Sequence, residues 1–167
     1  PKSVPQDYFP DYFLCYGENE KKLMDSSGYV KPENLITVGN FYIDHLQQSG
    51  KSVSQTKAAL LHNNRMIDKV ALVTLQETVE KPLTDLILEA ITIDPGIQFI
   101  LASRKPLDDE AFSSYGNITI LTEYNFYTLV KEADIHLTCY STCAIEAPSL
   151  GIANIFVDID GLSTFYY

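Results

Sequence analysis

Long apolar runs are absent from this 167-residue chain. None approaches the roughly 18–20 continuous apolar residues that a membrane span requires, so no transmembrane segment is expected. The opening PKSVPQDYFPDYF lacks both an initiator methionine and the charged-then-apolar order of a secretory signal, so the expectation is a cytoplasmic chain, or one cut from a longer protein. Positive charge is scarce: 12 Lys and Arg stand against 22 Asp and Glu, a formal net charge of −10. Such a surface repels a phosphodiester backbone, which excludes nucleic acid from the expected partners. A phosphorylated small molecule stays compatible, because one locally positive pocket or helix N-terminus can hold it. Cysteine is limited to Cys15, Cys139 and Cys143, which cannot all pair and lack the spacing of a four-ligand zinc site. They read as reduced, small, buried hydrophobes, although Cys139 and Cys143 have the spacing to approach on one helix.

What is present is a globular composition, 46% hydrophobic and 20% charged, at the length of one ordinary domain. From residue 70 the pattern alternates in type. VALVTL (70–75) is a short β-branched run, LTDLILEAITI (83–93) has helical spacing, and IQFILA (97–102) is again strand-like. Strands over 117–121, 134–139 and 154–159, with helices over 126–133 and 142–150, continue the theme. Continuous apolar strands separated by helices predict an α/β fold, a Rossmann-like parallel sheet of five or six strands flanked by helices. Upstream, 12–17 reads as a strand, 18–27 as a helix stopped by Gly28, and 34–40 as another strand. The polar, Ser-rich stretch 47–56 reads as a linker, with a long helix over 54–68 following it. This divides the chain into a leading piece, 1–45, and an α/β body, 46–167.

In an open parallel sheet, ligands bind beyond the carboxyl ends of the strands. That rule selects Thr74 and Gln76, Ser103, Arg104 and Lys105, Thr122 and Glu123, and the turn Tyr140-Ser141-Thr142. In the last, hydroxyl residues precede a helix that ends at Gly151, so backbone N–H groups and the helix dipole can face a phosphate. Ordinary N-capping explains the same residues. Glu146, one turn further, fits either paired sugar hydroxyls or solvent. Arg104 and Lys105 can neutralise a diphosphate or form a solvated loop. Glu123, Tyr124, Asn125 and Tyr127 border the same region, Tyr127 chiefly as a packing aromatic. His136 lies inside a strand and reads as a packed histidine, while His45 and His62 lie near the linker and on its following helix. No histidine or carboxylate spacing suggests a metal cage, so no metal or other cofactor is expected.

The segment EADIHLTCYSTCAIEAPSLGIANIFVD (132–158) resembles the nucleotide-binding segment of GT-B-fold enzymes. Its core, Glu146-Ala147-Pro148-Ser149-Leu150-Gly151, looks especially like UDP-N-acetylglucosamine 2-epimerases, and Pro148 belongs to that pattern. KPENLITVGNFYID (31–44) resembles the crossover between the family's two Rossmann-like domains, and VALVTLQETVEKPL (70–83) occupies the place of an epimerase substrate loop. The chain departs from the epimerases where their His-Arg-Arg is here Gln76-Glu77-Thr78, where their Asp-Ser-Gly-Gly is here Cys139-Tyr140-Ser141-Thr142, and where the first of their paired glutamates is here Ile145. A Ser-Thr turn followed by a Glu-Ala helix looks more like surface-polysaccharide glycosyltransferases of the same fold. Where those often carry a His-Pro, this chain has Arg104-Lys105-Pro106.

The resemblance implies an enzyme: the donor-binding C-terminal half of a GT-B glycosyltransferase, with the end of the N-terminal half before it. The donor would be a nucleotide sugar and the acceptor a glycan or lipid-linked molecule held by the other domain, which would also supply the catalytic base. Tyr140, Ser141, Thr142, Arg104, Lys105, Thr74 and Gln76 would bind nucleotide and phosphate, and Glu146 the ribose. A 2-epimerase and a non-catalytic α/β module are the alternatives. The last residues, 164–167, come without the helices that usually close such a half, which suggests truncation.

Overall fold

A computed structural model describes residues 9–48, 67–107, 109–122 and 125–166. They fall into two compact units, one within Pro1–Gly50 and the other within Lys51–Tyr167.

The first unit is a small parallel βαβ arrangement. Strand β1 (Phe13–Cys15) pairs with β2 (Leu35–Thr37), Phe13 opposite Leu35 and Cys15 opposite Thr37. Between them runs α1 (Glu18–Ser27), with Glu18 and Glu20 at the dipole-favoured end. Gly28 ends it at φ 68°, a left-handed conformation that a Cβ would strain, and its N–H donates to the Asp25 carbonyl at 3.1 Å. Cys15, Val30 and Leu35 form the core, with Phe13 and Met24 packed against it. Helix α2 (Phe41–Gln48) follows. The strands are shorter than the sequence suggests: only the Val38 N–H, donating to the Cys15 carbonyl at 2.9 Å, extends the pairing. The linker and helix expected over 47–56 and 54–68 lie outside the described residues, except that 47–48 close α2 and 67–68 enter the next strand without helical structure. His62 also lies outside them.

The second unit is built on five parallel strands in the order β5-β4-β3-β6-β7. These are β3 (Lys69–Thr74), β4 (Ile97–Ala102), β5 (Ile118–Leu121), β6 (Ile135–Thr138) and β7 (Ala153–Phe156). The helices are α3 (Glu80–Ile93), α4 (Phe126–Val130), α5 (Cys143–Ser149) and α6 (Leu162–Tyr166). Alternation along β3 assigns its two faces. Val70 and Leu72 pack with Phe126, Leu129 and Val130 of α4 and Ala147 of α5, whereas Ala71 and Val73 pack with Leu83, Ile87 and Ile91 of α3. Both faces are therefore dry, which is why the strand reads as an unbroken apolar run.

Several element ends differ from the expectation. Helix α3 begins at Glu80 rather than 83, because Lys81 and Pro82 carry no apolar periodicity, while a proline is well tolerated in the first turn. Helix α4 stops at Val130 rather than 133. Strand β7 ends at Phe156, with the Val157 N–H still donating to the Thr138 carbonyl at 2.9 Å. Cys139 sits at the end of β6 and Cys143 begins α5, so the two do not share a helix. All three cysteines are free thiols. Pro148 lies inside α5, and the chain leaves it through Gly151 at φ 83°.

A polar pair, His136 and Asn154, interrupts the apolar sheet. His136 pairs in register with Leu72 of β3 and Asn154 of β7. Its ring is fully buried against Phe126, with centroids 5.4 Å apart. Nδ1 lies 2.5 Å from the Asn154 Oδ1 and Nε2 lies 2.9 Å from the Thr74 Oγ1. With the Asn154 amide oriented so that Oδ1 faces the ring and its Nδ2 is left buried without a partner, Nδ1 carries the proton and Nε2 accepts from the Thr74 hydroxyl. Desolvation lowers the His136 pKa to about 4, opposed by the Asn154 hydrogen bond. The folded imidazole thus binds its proton less readily than the unfolded one, whose pKa is about 6.5. This contribution to stability is complete above pH 6.5 and is lost as the pH falls towards 4. Between pH 7 and pH 5 the domain should lose on the order of 2 kcal/mol through this group, read from urea midpoints; His136→Leu should lack that component.

Candidate functional site

The chain leaves β3 towards β4 on one side, and β6 lies on the other. Loops from these strands therefore diverge at the carboxyl edge and leave a crevice at the switch point. A cleft of about 450 Å³ occupies that place. Its walls are the β3–α3 turn (Thr74, Leu75, Gln76, Glu77, Glu80), the end of β4 (Ser103, Arg104, Lys105) and the β6–α5 turn (Tyr140, Ser141, Thr142, Cys143). All seven residues expected to bind nucleotide and phosphate line this one cleft.

Their side chains are already engaged to different degrees. The Gln76 Nε2 donates to the Thr74 carbonyl and the Thr138 Oγ1, both at 2.9 Å, leaving its buried Oε1 without a partner. Thr138 Oγ1 donates to the Thr74 carbonyl at 3.3 Å. Ser103 Oγ accepts from the Lys105 N–H at 3.2 Å. Lys105 Nζ is 2.5 Å from Glu77 Oε1 in an exposed ion pair, which in solvent contributes about 0–1 kcal/mol. Arg104, also exposed, forms no ion pair among the described residues. Thr78 and Tyr140 hydrogen-bond through their hydroxyls, joining the β3–α3 turn to the β6–α5 turn.

At the start of α5, the Ser141 Oγ accepts from the Cys143 N–H at 3.3 Å, and the Ser141 and Thr142 carbonyls accept from the Ala144 and Ile145 N–H groups at 2.9 and 3.0 Å. Several amides offered to phosphate by the sequence are thus satisfied within the turn. Burial pushes the Cys143 thiol up, against the opposing Ser141 hydrogen bond, so a thiolate is disfavoured at the cleft.

Glu146 is not among the cleft-lining residues. It accepts a hydrogen bond from the Tyr127 hydroxyl at 2.7 Å, one turn along α5 and beside α4. Tyr127 packs on the core as expected and supplies this bond as well. Asn125 serves as the N-cap of α4, accepting from the Thr128 N–H at 3.3 Å. Glu123 and Tyr124 lie outside the described residues. Glu77 and Glu80 in the cleft wall, Thr138 bonded to Gln76, and Asn154 bonded to His136 are not among the residues expected at the site. The signal for the last two was the strand register, which sets Asn154 opposite His136, with Thr138 two residues beyond His136 on the same strand.

Among the described residues no helix is long and apolar enough to cross a membrane. No known family model and no curated protein sequence matches the chain. Solved structures do match in shape. The UDP-GlcNAc 2-epimerase of Neisseria meningitidis, bound to UDP-GlcNAc, aligns with TM-score 0.63 and 21% identity, over 93% of this chain and 46% of that one. The UDP-GlcNAc 2-epimerase of Methanocaldococcus jannaschii, in complex with UDP-GlcNAc and UDP, gives 0.62 and 21%, over 87% and 45%. The wall teichoic acid polymerase TagF gives 0.60 and 15%, over 90% and 38%. The chain spans less than half the length of these neighbours. At such identities the likeness shows the fold alone, a Rossmann-like parallel sheet flanked by helices that these neighbours share.

Proposed function

We propose that this chain provides the donor-binding half of a GT-B-type glycosyltransferase, which moves a sugar from a nucleotide sugar to a glycan or lipid-linked acceptor of the surface-polysaccharide type. The observation that carries the reading is the cleft at the switch point, where Arg104 meets the hydroxyl-rich Tyr140–Thr142 turn. A guanidinium there can hold a diphosphate through two parallel hydrogen bonds and stabilise the charge that develops on the departing phosphate. Lys105 joins it when the ligand displaces Glu77. This chemistry needs no metal. The acceptor and the catalytic base belong to a partner domain, and the isolated unit binds nucleotide without transferring sugar.

The two neighbours that hold UDP-GlcNAc favour a second reading, a sugar-nucleotide 2-epimerase. Against it, Gln76, Glu77 and Thr78 stand where that pattern carries three basic residues, and the Gln76 amide is already committed to Thr74 and Thr138. Incubating the full-length protein with UDP-N-acetylglucosamine and no acceptor decides between them, since only an epimerase inverts C2 under those conditions. Calorimetry against UDP, CDP, GDP and CMP at millimolar concentration tests both; no heat with any of the four leaves an α/β module without this ligand.

Two sets of variants assign roles. Arg104→Ala should weaken nucleoside-diphosphate binding about 10-fold, the scale of one lost charge-assisted hydrogen bond, while Glu77→Gln, which frees Lys105, should tighten it about two- to five-fold. Unchanged affinity in both leaves these charges to the solvent. For the ribose role of Glu146, Glu146→Ala should cost about 1.5–3 kcal/mol, roughly 10–100-fold, without unfolding the domain. Equal affinity of the wild-type chain for the ribo- and 2′,3′-dideoxy-nucleotide removes that assignment.

A further inference from the structure

We infer that the cleft is polarised across the sheet: its β3 side accepts hydroxyl or N–H donors from the ligand, and the phosphate lies towards β4. This rests on the nucleotide-sugar reading for the identity of the ligand, and it reassigns Thr74 and Gln76, which the sequence grouped with the phosphate contacts.

Thr74 is 3% exposed at the end of β3, where it lines the cleft. Its single hydroxyl hydrogen is directed away from the ligand, because Nε2 of His136 is a bare acceptor 2.9 Å away. Nε2 is bare because Nδ1 holds the proton against the Asn154 Oδ1 at 2.5 Å, and the low pKa of His136 keeps the ring neutral. A phosphate oxygen, which also only accepts, finds no donor on Thr74 and meets its lone pairs instead.

Gln76 gives the same polarity by a separate route. Both acceptors of its amide hydrogens, the Thr74 carbonyl and the Thr138 hydroxyl oxygen, belong to the sheet. Thr138 spends its own hydrogen on the Thr74 carbonyl. The half of Gln76 left over is the carbonyl Oε1, buried and without a partner. With both amide hydrogens committed to the sheet, Gln76 offers a phosphate in the cleft no donor.

The β4 side differs. Ser103 uses its oxygen to accept from the Lys105 N–H, which leaves the hydroxyl hydrogen uncommitted among the described residues. Arg104 adjoins it with a guanidinium that only donates. An anion is therefore solvated on the β4 side, and hydroxyl or amide N–H groups are matched on the β3 side. His136 and Asn154 touch no ligand; they are positioning residues that set which way the Thr74 hydroxyl points.

Two measurements on the full chain test this. The first needs no ligand: the nitrogen shifts of His136 in a long-range 1H–15N correlation spectrum at pH 7 should show a protonated Nδ1 and a bare Nε2. A protonated Nε2 overturns the inference, because Thr74 would then be free to donate to phosphate. The second compares wild type, Thr74→Val and Arg104→Ala with pyrophosphate, UDP and UDP-N-acetylglucosamine. Arg104→Ala should weaken all three. Thr74→Val should leave pyrophosphate within about two-fold and weaken a donor-bearing ligand about 10-fold, the scale of one hydrogen bond. A loss confined to UDP-N-acetylglucosamine places the donors on the sugar, and a loss shared by UDP places them on the nucleoside. Weakened pyrophosphate binding in Thr74→Val, or no loss with any ligand, overturns the inference. If no nucleotide binds while the protonated Nδ1 is seen, the nucleotide reading fails and the polarity of the β3 side stands.

Discussion

Burial of β3 on both faces constrains everything else in the second unit. A strand with dry faces needs helices above and below, and parallel neighbours on either side can be reached only by crossing over those helices. The consequence is directional. Every strand ends at the same edge, so the β3–α3, β4 and β6–α5 turns converge there and their polar side chains share one cleft. The apolar core and the candidate site are therefore two results of one packing requirement.

Much of this is readable in the amino-acid order. The runs 70–75 and 97–102 are nearly continuous apolar segments, and the structure pairs Lys69–Thr74 with Ile97–Ala102 residue by residue. The ten-residue helix before Gly28 has the expected limits because glycine punctuation is local and strong. Boundaries without punctuation were less legible. The first turn of α3 is polar with a proline, and its helical state follows from Leu83 and Ile87 being packed below it.

The site was legible as a set of positions but not as a set of bonds. Carboxyl-end placement follows from strand order, which brought Thr74, Arg104 and Tyr140 together. Bonding depends on register. Lys105 meets Glu77 because Thr74 is paired with Ala102, which sets the two following turns side by side. His136 meets Asn154 for the same reason, one strand further out. Such pairs are 28 and 18 residues apart in sequence, and no local pattern announces them. Polar residues inside strands look like interruptions until the partner strand supplies their hydrogen bonds.

The ion pair between Glu77 and Lys105 has a consequence for how an anionic ligand would respond to its medium. A phosphate that takes over Lys105 exchanges one anionic partner for another, so the count of close opposite charges hardly changes. Dissolved ions weaken the incumbent pair and the incoming one together. Only the contact to Arg104 is gained outright, which would give a cleft with two cations the ionic-strength dependence of one.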